Sequence, residues 1–140
     1  MKKLLILAIL LLTEVTASTA SLREPPNWLW KGLIAEAVDD GFQGMWAVAC
    51  VVRNRQQKGM WHGLVALRRN DLQEFVDRQP REIRKQAQVI IRKVFLDDGE
   101  DTTGGAIYFE NVERYGRPYF CKRRTVKIGR HTFYKGEVRG

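Results

Sequence analysis

The sequence predicts a single α+β domain in which the helices come first and an antiparallel sheet follows. Apolar residues recur at helical spacing in three segments between residues 27 and 97, whereas the last third carries short strand-like runs between glycines. With 44% hydrophobic residues and only four prolines, the composition is that of a folded globular protein. A disordered or collagen-like chain is therefore excluded.

Two helices are predicted near the start of this domain. The first covers 27–39, where apolar side chains follow the i, i+3, i+4, i+7, i+8 pattern of one helix face and Asn27 is the expected N-cap. The second covers 43–57 and is apolar nearly all round between residues 45 and 52, which is typical of a central buried helix. The apolar residues of the first face are Trp30, Leu33, Ile34, Ala37 and Val38.

The remaining elements follow a stretch without clear periodicity, residues 60–79, where short turns are expected. A third helix begins after Pro80 and is closed by the acidic, glycine-containing segment 97–99. A strand is predicted at 106–109, and a hairpin at 125–134 with Gly129 and Arg130 as its two-residue turn. In that register one face of the hairpin carries Val126, Ile128, His131 and Phe133.

The amino terminus has the pattern of a secretory signal peptide. Lys2 and Lys3 precede an apolar run at 4–12, and small residues follow it, so cleavage is expected after Ala17 or Ala20. The run is too short to span about 30 Å of hydrocarbon as a helix. The sequence thus predicts a signal peptide at 1–20, a domain at 21–140, and export to the periplasm or cell wall. An uncleaved membrane anchor is the alternative.

The chain is basic, with 24 Lys and Arg against 16 Asp and Glu and a net charge of +8. The carboxyl-terminal third is the most basic part, with nine Lys or Arg and two Glu over 112–140. Such a surface favours polyanions. For an exported protein, we expect anionic polymers of the cell envelope rather than nucleic acid, and a monomer.

The two cysteines, Cys50 and Cys121, allow two interpretations. Outside the cytoplasm they could form a disulfide that closes a long loop. Alternatively, Cys50 is a small buried hydrophobic residue within the second helix. Both interpretations stay open at this point.

Two carboxylates are candidates for catalysis. Glu36 lies among small side chains beside the apolar face of the first helix, where low polarity would raise its pKa towards that of a general acid. Asp40 follows four residues later, and on a continuous helix it would share a face with Glu36 and raise that pKa further. The alternatives are an ordinary exposed helix glutamate and a solvated helix end.

Three separated segments resemble one enzyme family. Residues 35–55 (AEAVDDGFQGMWAVACVVRNR), 101–111 (DTTGGAIYFEN) and 128–134 (IGRHTFY) are similar to motifs of the SleB/CwlJ-type cell wall hydrolases. Those typically contain A-E-A-x-G-E with G-x-x-A-V-A-x-V-V-x-N-R, then D-P-T-G-G-A-x-x-F-x-N, then I-G-x-H-x-F-Y. Here Asp39 replaces Gly, Asp40 replaces the second Glu and Thr102 replaces Pro, while 61–79 matches poorly.

The resemblance implies a small lysozyme-like domain with a cleft between the first helix and the sheet. It implies cleavage of the β-1,4 bond between N-acetylmuramic acid and N-acetylglucosamine in peptidoglycan, with Glu36 as general acid and then base. A lone Glu suits a lytic transglycosylase, whereas Asp40 as an auxiliary carboxylate keeps a muramidase open. No metal or cofactor is needed. The residues expected to line the glycan groove by motif position are Thr103, Tyr108, Asn111, His131 and Tyr134.

Other functions fit the same sequence. His131 on an apolar strand face is also typical of a structural histidine. A catalytically silent wall-binding module, or an exported binder of lipopolysaccharide or nucleic acid, would use the basic hairpin without cleaving the wall. Among catalytic roles, wall remodelling, spore germination and release of a phage by an endolysin are all compatible with this domain.

Overall fold

The structure of the protein, a computed structural model, describes Pro25, residues 28–120 and residues 123–136. The predicted signal peptide, Asn27 and Cys121 lie outside the described residues. The elements are α1 (Leu29–Ala37), α2 (Gly41–Gln57), α3 (Leu72–Asp77), α4 (Arg81–Ile91), β1 (Tyr108–Glu110), α5 (Val112–Tyr115), β2 (Arg123–Ile128) and β3 (His131–Lys135). Helices thus precede an antiparallel sheet of order β1-β3-β2, and the predicted α+β class is confirmed.

The position of the central helix α2 explains its apolar composition. One side of it packs with α1 and α4 in the main core, which contains Leu33, Val48 and Ile90. The opposite side presents Ala47 and Val51 to the sheet. A helix buried between other helices and a sheet needs apolar residues all round, which is the pattern predicted for residues 45–52. Ala47 and Val51 of α2 pack against Ala106 and Phe133.

Helix α1 is shorter than predicted. It ends at Ala37, and a 3-10 turn over Val38–Asp40 leads into α2. Gly41 has a φ of 69°, a left-handed value that favours glycine. The chain therefore changes direction here, and Asp40 does not continue the face of α1.

The middle of the chain forms the short elements expected for it. A 3-10 turn over Val65–Arg68 and the two-turn helix α3 lie against α1. Helix α4 continues into a π-helical turn over Arg92–Leu96, so the predicted third helix is confirmed. Among the described residues, no helix is long and apolar enough to cross a membrane.

The predicted hairpin is present as β2 and β3. Gly129 has a φ of 57° in the turn, and Val126 and Ile128 pack against Phe133 as expected. The pairing shifts register between Arg124 and Lys127, which marks a bulge. Helix α5 was not predicted from the sequence.

Polar side chains at the end of α2 attach the loop before the sheet. The Asn54 amide donates to the Asp101 carboxylate (3.0 Å) and to the Ala106 carbonyl (2.9 Å), and Arg55 Nε donates to the Ile107 carbonyl at 2.6 Å. Two of the motifs noted in the sequence, 35–55 and 101–111, therefore meet in space.

Cys50 is a buried free thiol in α2. Its Sγ donates to the Glu100 carbonyl at 3.6 Å, and burial raises the pKa of the thiol to about 11. The interpretation of Cys50 as a small buried residue fits this environment.

The hairpin turn is fixed to the start of α2 by Asp40. One carboxylate oxygen accepts from the Arg130 backbone N–H at 3.0 Å, and the other lies 2.5 Å from Nδ1 of His131. The Asp40 side chain is only 2% exposed. A Cβ at Gly129 would overlap the Asp40 carboxylate, and one at Gly44 would overlap its Cβ. Both glycines are needed because Asp40 occupies that space.

We expect Gly129→Ala to destabilise the protein more than Gly59→Ala. Both glycines have a positive φ, but a Cβ at Gly59 meets no atom within 4 Å. Gly59→Ala should cost only the backbone strain, about 1–2 kcal/mol. Gly129→Ala should cost about 1.5–3 kcal/mol more, because it displaces hydrogen bonds to a charged group. Urea unfolding measures both, and equal losses would show that the Asp40 contacts do not stabilise the hairpin.

Candidate active site

A cleft of about 570 Å³ lies between the helical part of the domain and the sheet. One wall comes from α1 and the middle segment of the chain, and the other comes from β1, α5 and the hairpin turn. The sheet therefore forms one wall, as predicted. The lining residues are Ala35, Glu36, Val38, Asp39, Arg55, Trp61, Leu64, Val65, Arg69, Phe75, Phe109, Glu110, Asn111, Arg114, Tyr115, Arg130 and His131.

Glu36 is placed in this cleft by the close approach of the middle segment to α1. Gly32 lies one turn before Glu36, and a Cβ there would come within 2.9 Å of a Leu64 methyl. Since glycine has no Cβ, the 3-10 turn packs directly on α1. The backbone N–H of Ala66 then donates to Glu36 Oε1 at 3.1 Å. One carboxylate oxygen is thus fixed while the side chain stays partly exposed.

The environment of Glu36 favours its protonated form. Burial raises the pKa of Glu36 above its ordinary value, and the nearby carboxylate of Glu110 raises it as well. The hydrogen bond from Ala66 and the positive fields of His131 and Arg55 act in the opposite direction without cancelling the rise. A raised pKa suits a carboxyl group to general-acid catalysis.

Asp40 does not line the cleft and contacts the His131 ring instead. The expectation that Asp40 shares a helix face with Glu36 is wrong, because α1 ends at Ala37 and the 3-10 turn directs Asp40 towards the hairpin. Its contact with Nδ1 orients the His131 ring, which lies in the cleft and makes a T-shaped contact with Phe109 at a centroid distance of 5.3 Å. His131 is therefore both structurally fixed and part of the site.

The opposite wall carries a second carboxylate that the sequence did not single out. Glu110, at the end of β1, accepts the Asn111 backbone N–H at 3.0 Å through Oε1. Asn111 lines the cleft as expected, and its own side chain accepts the Arg114 N–H at 3.2 Å, which caps α5. Glu110 occupies the unspecified position of F-x-N, so the motif offered no signal for it.

Three residues expected in the groove lie outside the cleft lining. Thr103 is fully buried, and its hydroxyl donates to Asp101 at 2.6 Å and accepts from the Ala106 N–H. A substrate cannot contact a fully buried side chain, so we assign Thr103 to the loop. Tyr134 is 3% exposed in the sheet, and Tyr108 packs against Phe120 with ring centroids 5.1 Å apart.

Comparison with known proteins decides the family. A family model described as Cell Wall Hydrolase, of the SleB/CwlJ type, matches residues 39–134, well over half of the chain. The chain belongs to this cell wall hydrolase family. Comparisons with curated proteins and with solved structures gave no match.

Membership makes this protein a cell wall hydrolase with peptidoglycan as its substrate. Glu36 lies three residues before the matched segment, so its role depends on the geometry described above. Within the described part of the chain, no three His, Cys, Asp or Glu side chains come together as a metal site requires.

Several residues of the hydrolase cleft come from the segment without periodicity. Trp61 is 56% exposed, with the guanidinium groups of Arg55 and Arg68 at 5.9 Å and 5.7 Å from its ring centroid. A Cβ at Gly63 would lie 2.7 Å from the indole, so the ring rests on that glycine. Long-range packing places Trp61 in the cleft, and local sequence carried no signal for this.

We expect Glu110→Gln to lower the pKa of Glu36. Removing a negative charge from the cleft favours the ionised form of the remaining carboxyl group, so the pKa must move down. Carbon-13 NMR of the Glu36 carboxyl group as a function of pH measures it. The control is Glu113→Gln, which removes an exposed glutamate that pairs with Lys127 at 2.7 Å. An unchanged Glu36 pKa in Glu110→Gln would show that the two carboxyl groups do not interact.

Proposed function

We propose that this cell wall hydrolase is a lytic transglycosylase that cleaves the β-1,4 bond between N-acetylmuramic acid and N-acetylglucosamine. The observation that carries the proposal is Glu36 in the cleft, with one oxygen fixed and a raised pKa. A protonated carboxyl group at this place can donate to the glycosidic oxygen.

The reaction needs one group for both proton transfers. Glu36 donates its proton as the bond between muramic C1 and the glycosidic oxygen breaks, and the glucosamine leaves with a free hydroxyl. The resulting carboxylate then accepts the proton of the muramic C6 hydroxyl, whose oxygen attacks C1. The product is a 1,6-anhydro sugar, and Glu36 is protonated again. Because the nucleophile is part of the substrate, no second carboxylate is required to activate water.

Glu110 supports the competing proposal of a muramidase. Hydrolysis by an ordinary glycosidase uses two carboxyl groups that flank the scissile bond. Glu36 and Glu110 lie on opposite walls of the same cleft, whereas Asp40 is buried away from it. If water is the nucleophile, we therefore assign its activation to Glu110 rather than to Asp40.

Trp61 supports a glycan as the substrate. Its exposed ring lies in the cleft and is held on Gly63. Aromatic faces offer sugar rings a large apolar contact area at low cost in conformational entropy. A sugar stacked on Trp61 would be in the same cleft as the acid Glu36.

Export and attraction to anionic envelope polymers are part of the proposal. The amino-terminal pattern at 1–20 supports export. The exposed side chains of Arg123 and Arg124 on the edge strand β2 support binding of an anionic polymer. We propose that the enzyme acts as a monomer. A silent binding module using the same basic surface is the competing function.

We expect Glu36→Gln to abolish wall lysis without unfolding the protein. The amide is nearly isosteric with the acid but cannot donate and recover a proton. The loss should reach or exceed about 10⁴-fold, the upper end for general acid–base catalysis, because one group serves both steps. Turbidity of purified peptidoglycan measures lysis, and circular dichroism checks the fold.

The matched variant is Asp40→Asn, which should cost less activity because Asp40 acts through His131. Lysis that continues in Glu36→Gln would reject Glu36 as the acid. A wild-type protein that binds peptidoglycan but never lowers its turbidity would favour the silent binding module.

We expect Arg123→Gln with Arg124→Gln to slow lysis of whole walls more than cleavage of short soluble glycans. These charges raise the encounter rate with an anionic polymer, and added salt should reduce the difference. Arg81→Gln with Lys85→Gln, on exposed positions of α4, is the control of equal charge change. Equal slowing by both pairs would mean that net charge alone matters.

A further inference from the structure

Four arginines line the cleft, and three of them are engaged by the protein itself. Arg55 donates to the carbonyls of Ile107 and Gly63. Arg69 forms a two-pronged contact with Asp71, both distances being 2.9 Å. The partners of Arg130 are Asp39 and Asp40.

Arg114 is different. Within the described part of the chain its guanidinium has neither a carboxylate nor a carbonyl partner, and it lies over the Tyr115 ring at 5.1 Å from the centroid. Both residues belong to α5, whose start is capped by Asn111. A guanidinium stacked on an aromatic face keeps its planar N–H edge available, and that edge matches a carboxylate.

The charge of the cleft favours an acidic ligand. Its lining carries four guanidinium groups against the carboxyl groups of Glu36, Asp39 and Glu110. Asp39 and Arg130 neutralise each other, and Arg69 is neutralised by Asp71. With Arg55 bound to backbone carbonyls, Arg114 is the cation left for a ligand.

We propose that Arg114, stacked on Tyr115, binds a carboxylate of the peptide stem on muramic acid, so that the enzyme prefers glycan strands whose peptides carry free carboxylates. The inference rests on the proposed function, since a glycan must occupy the same cleft. In peptide-bearing strands the lactyl carboxyl group of muramic acid is part of an amide bond, so the N-acetylated sugars are neutral and the stem peptides carry the carboxylates. Arg114 is thus a specificity-determining residue and takes no part in proton transfer.

The test compares two substrates: strands whose stem peptides have free carboxylates, and the same strands after those carboxylates have been converted to neutral amides. The measured quantity is the ratio of kcat/KM for strands with free stem carboxylates to that for strands with amidated ones. Arg114→Gln should lower this ratio by about tenfold to a hundredfold, the range for a hydrogen bond to a charged group, mainly through KM. The ratio for Arg114→Lys, which keeps the charge but lacks the planar fork, should lie between those of the wild type and Arg114→Gln.

The control is Arg117→Gln, an exposed arginine just past α5 that does not line the cleft. Its ratio should equal that of the wild type. An unchanged ratio in Arg114→Gln, or equal losses on both substrates, would overturn the assignment.

Failure of the proposed function gives a different result, namely no cleavage of either substrate by the wild type. In that case, calorimetry with a muramyl peptide still decides the inference. Weaker binding by Arg114→Gln than by Arg117→Gln supports it, and equal binding rejects it.

Discussion

The structure depends on the buried carboxylate of Asp40. It joins two parts of the chain 90 residues apart, because it accepts the Arg130 N–H and contacts the His131 ring. A buried carboxylate is stable only when its oxygens are paired, so the hairpin and the start of α2 must meet in one arrangement. Gly44 and Gly129 provide the space for it. The second wall of the cleft, and the position of His131 within it, follow from this contact.

The chemistry of the cleft follows from how its walls are built. Gly32 allows the middle segment to lie on α1, which buries Glu36 and gives it the Ala66 N–H. The sheet brings Glu110 and His131 towards it from the other side with opposite effects on its pKa. Burial dominates, so the pKa of Glu36 lies above its ordinary value. The same packing leaves Trp61 and Arg114 available to a ligand.

Local patterns in the sequence predicted most of the fold, because the spacing of apolar residues indicates whether a helix or strand is buried on one face or on all faces. The surroundings of α2 and the glycine turn of the hairpin are examples. The site was predicted less completely, since its contacts are long-range. Asp40 was expected beside Glu36 but pairs with the hairpin, Thr103 is buried in its loop, and Glu110 occupies a motif position without a preferred residue.

The most direct measurement is mass spectrometry of the muropeptides that the purified protein releases from peptidoglycan. If Glu36 alone transfers the proton and the C6 hydroxyl is the nucleophile, the released glycans end in 1,6-anhydro-muramic acid. These ends are lighter than the hydrolytic product by one water molecule. Reducing ends would contradict the lytic transglycosylase mechanism, since they form when water rather than the C6 hydroxyl attacks C1.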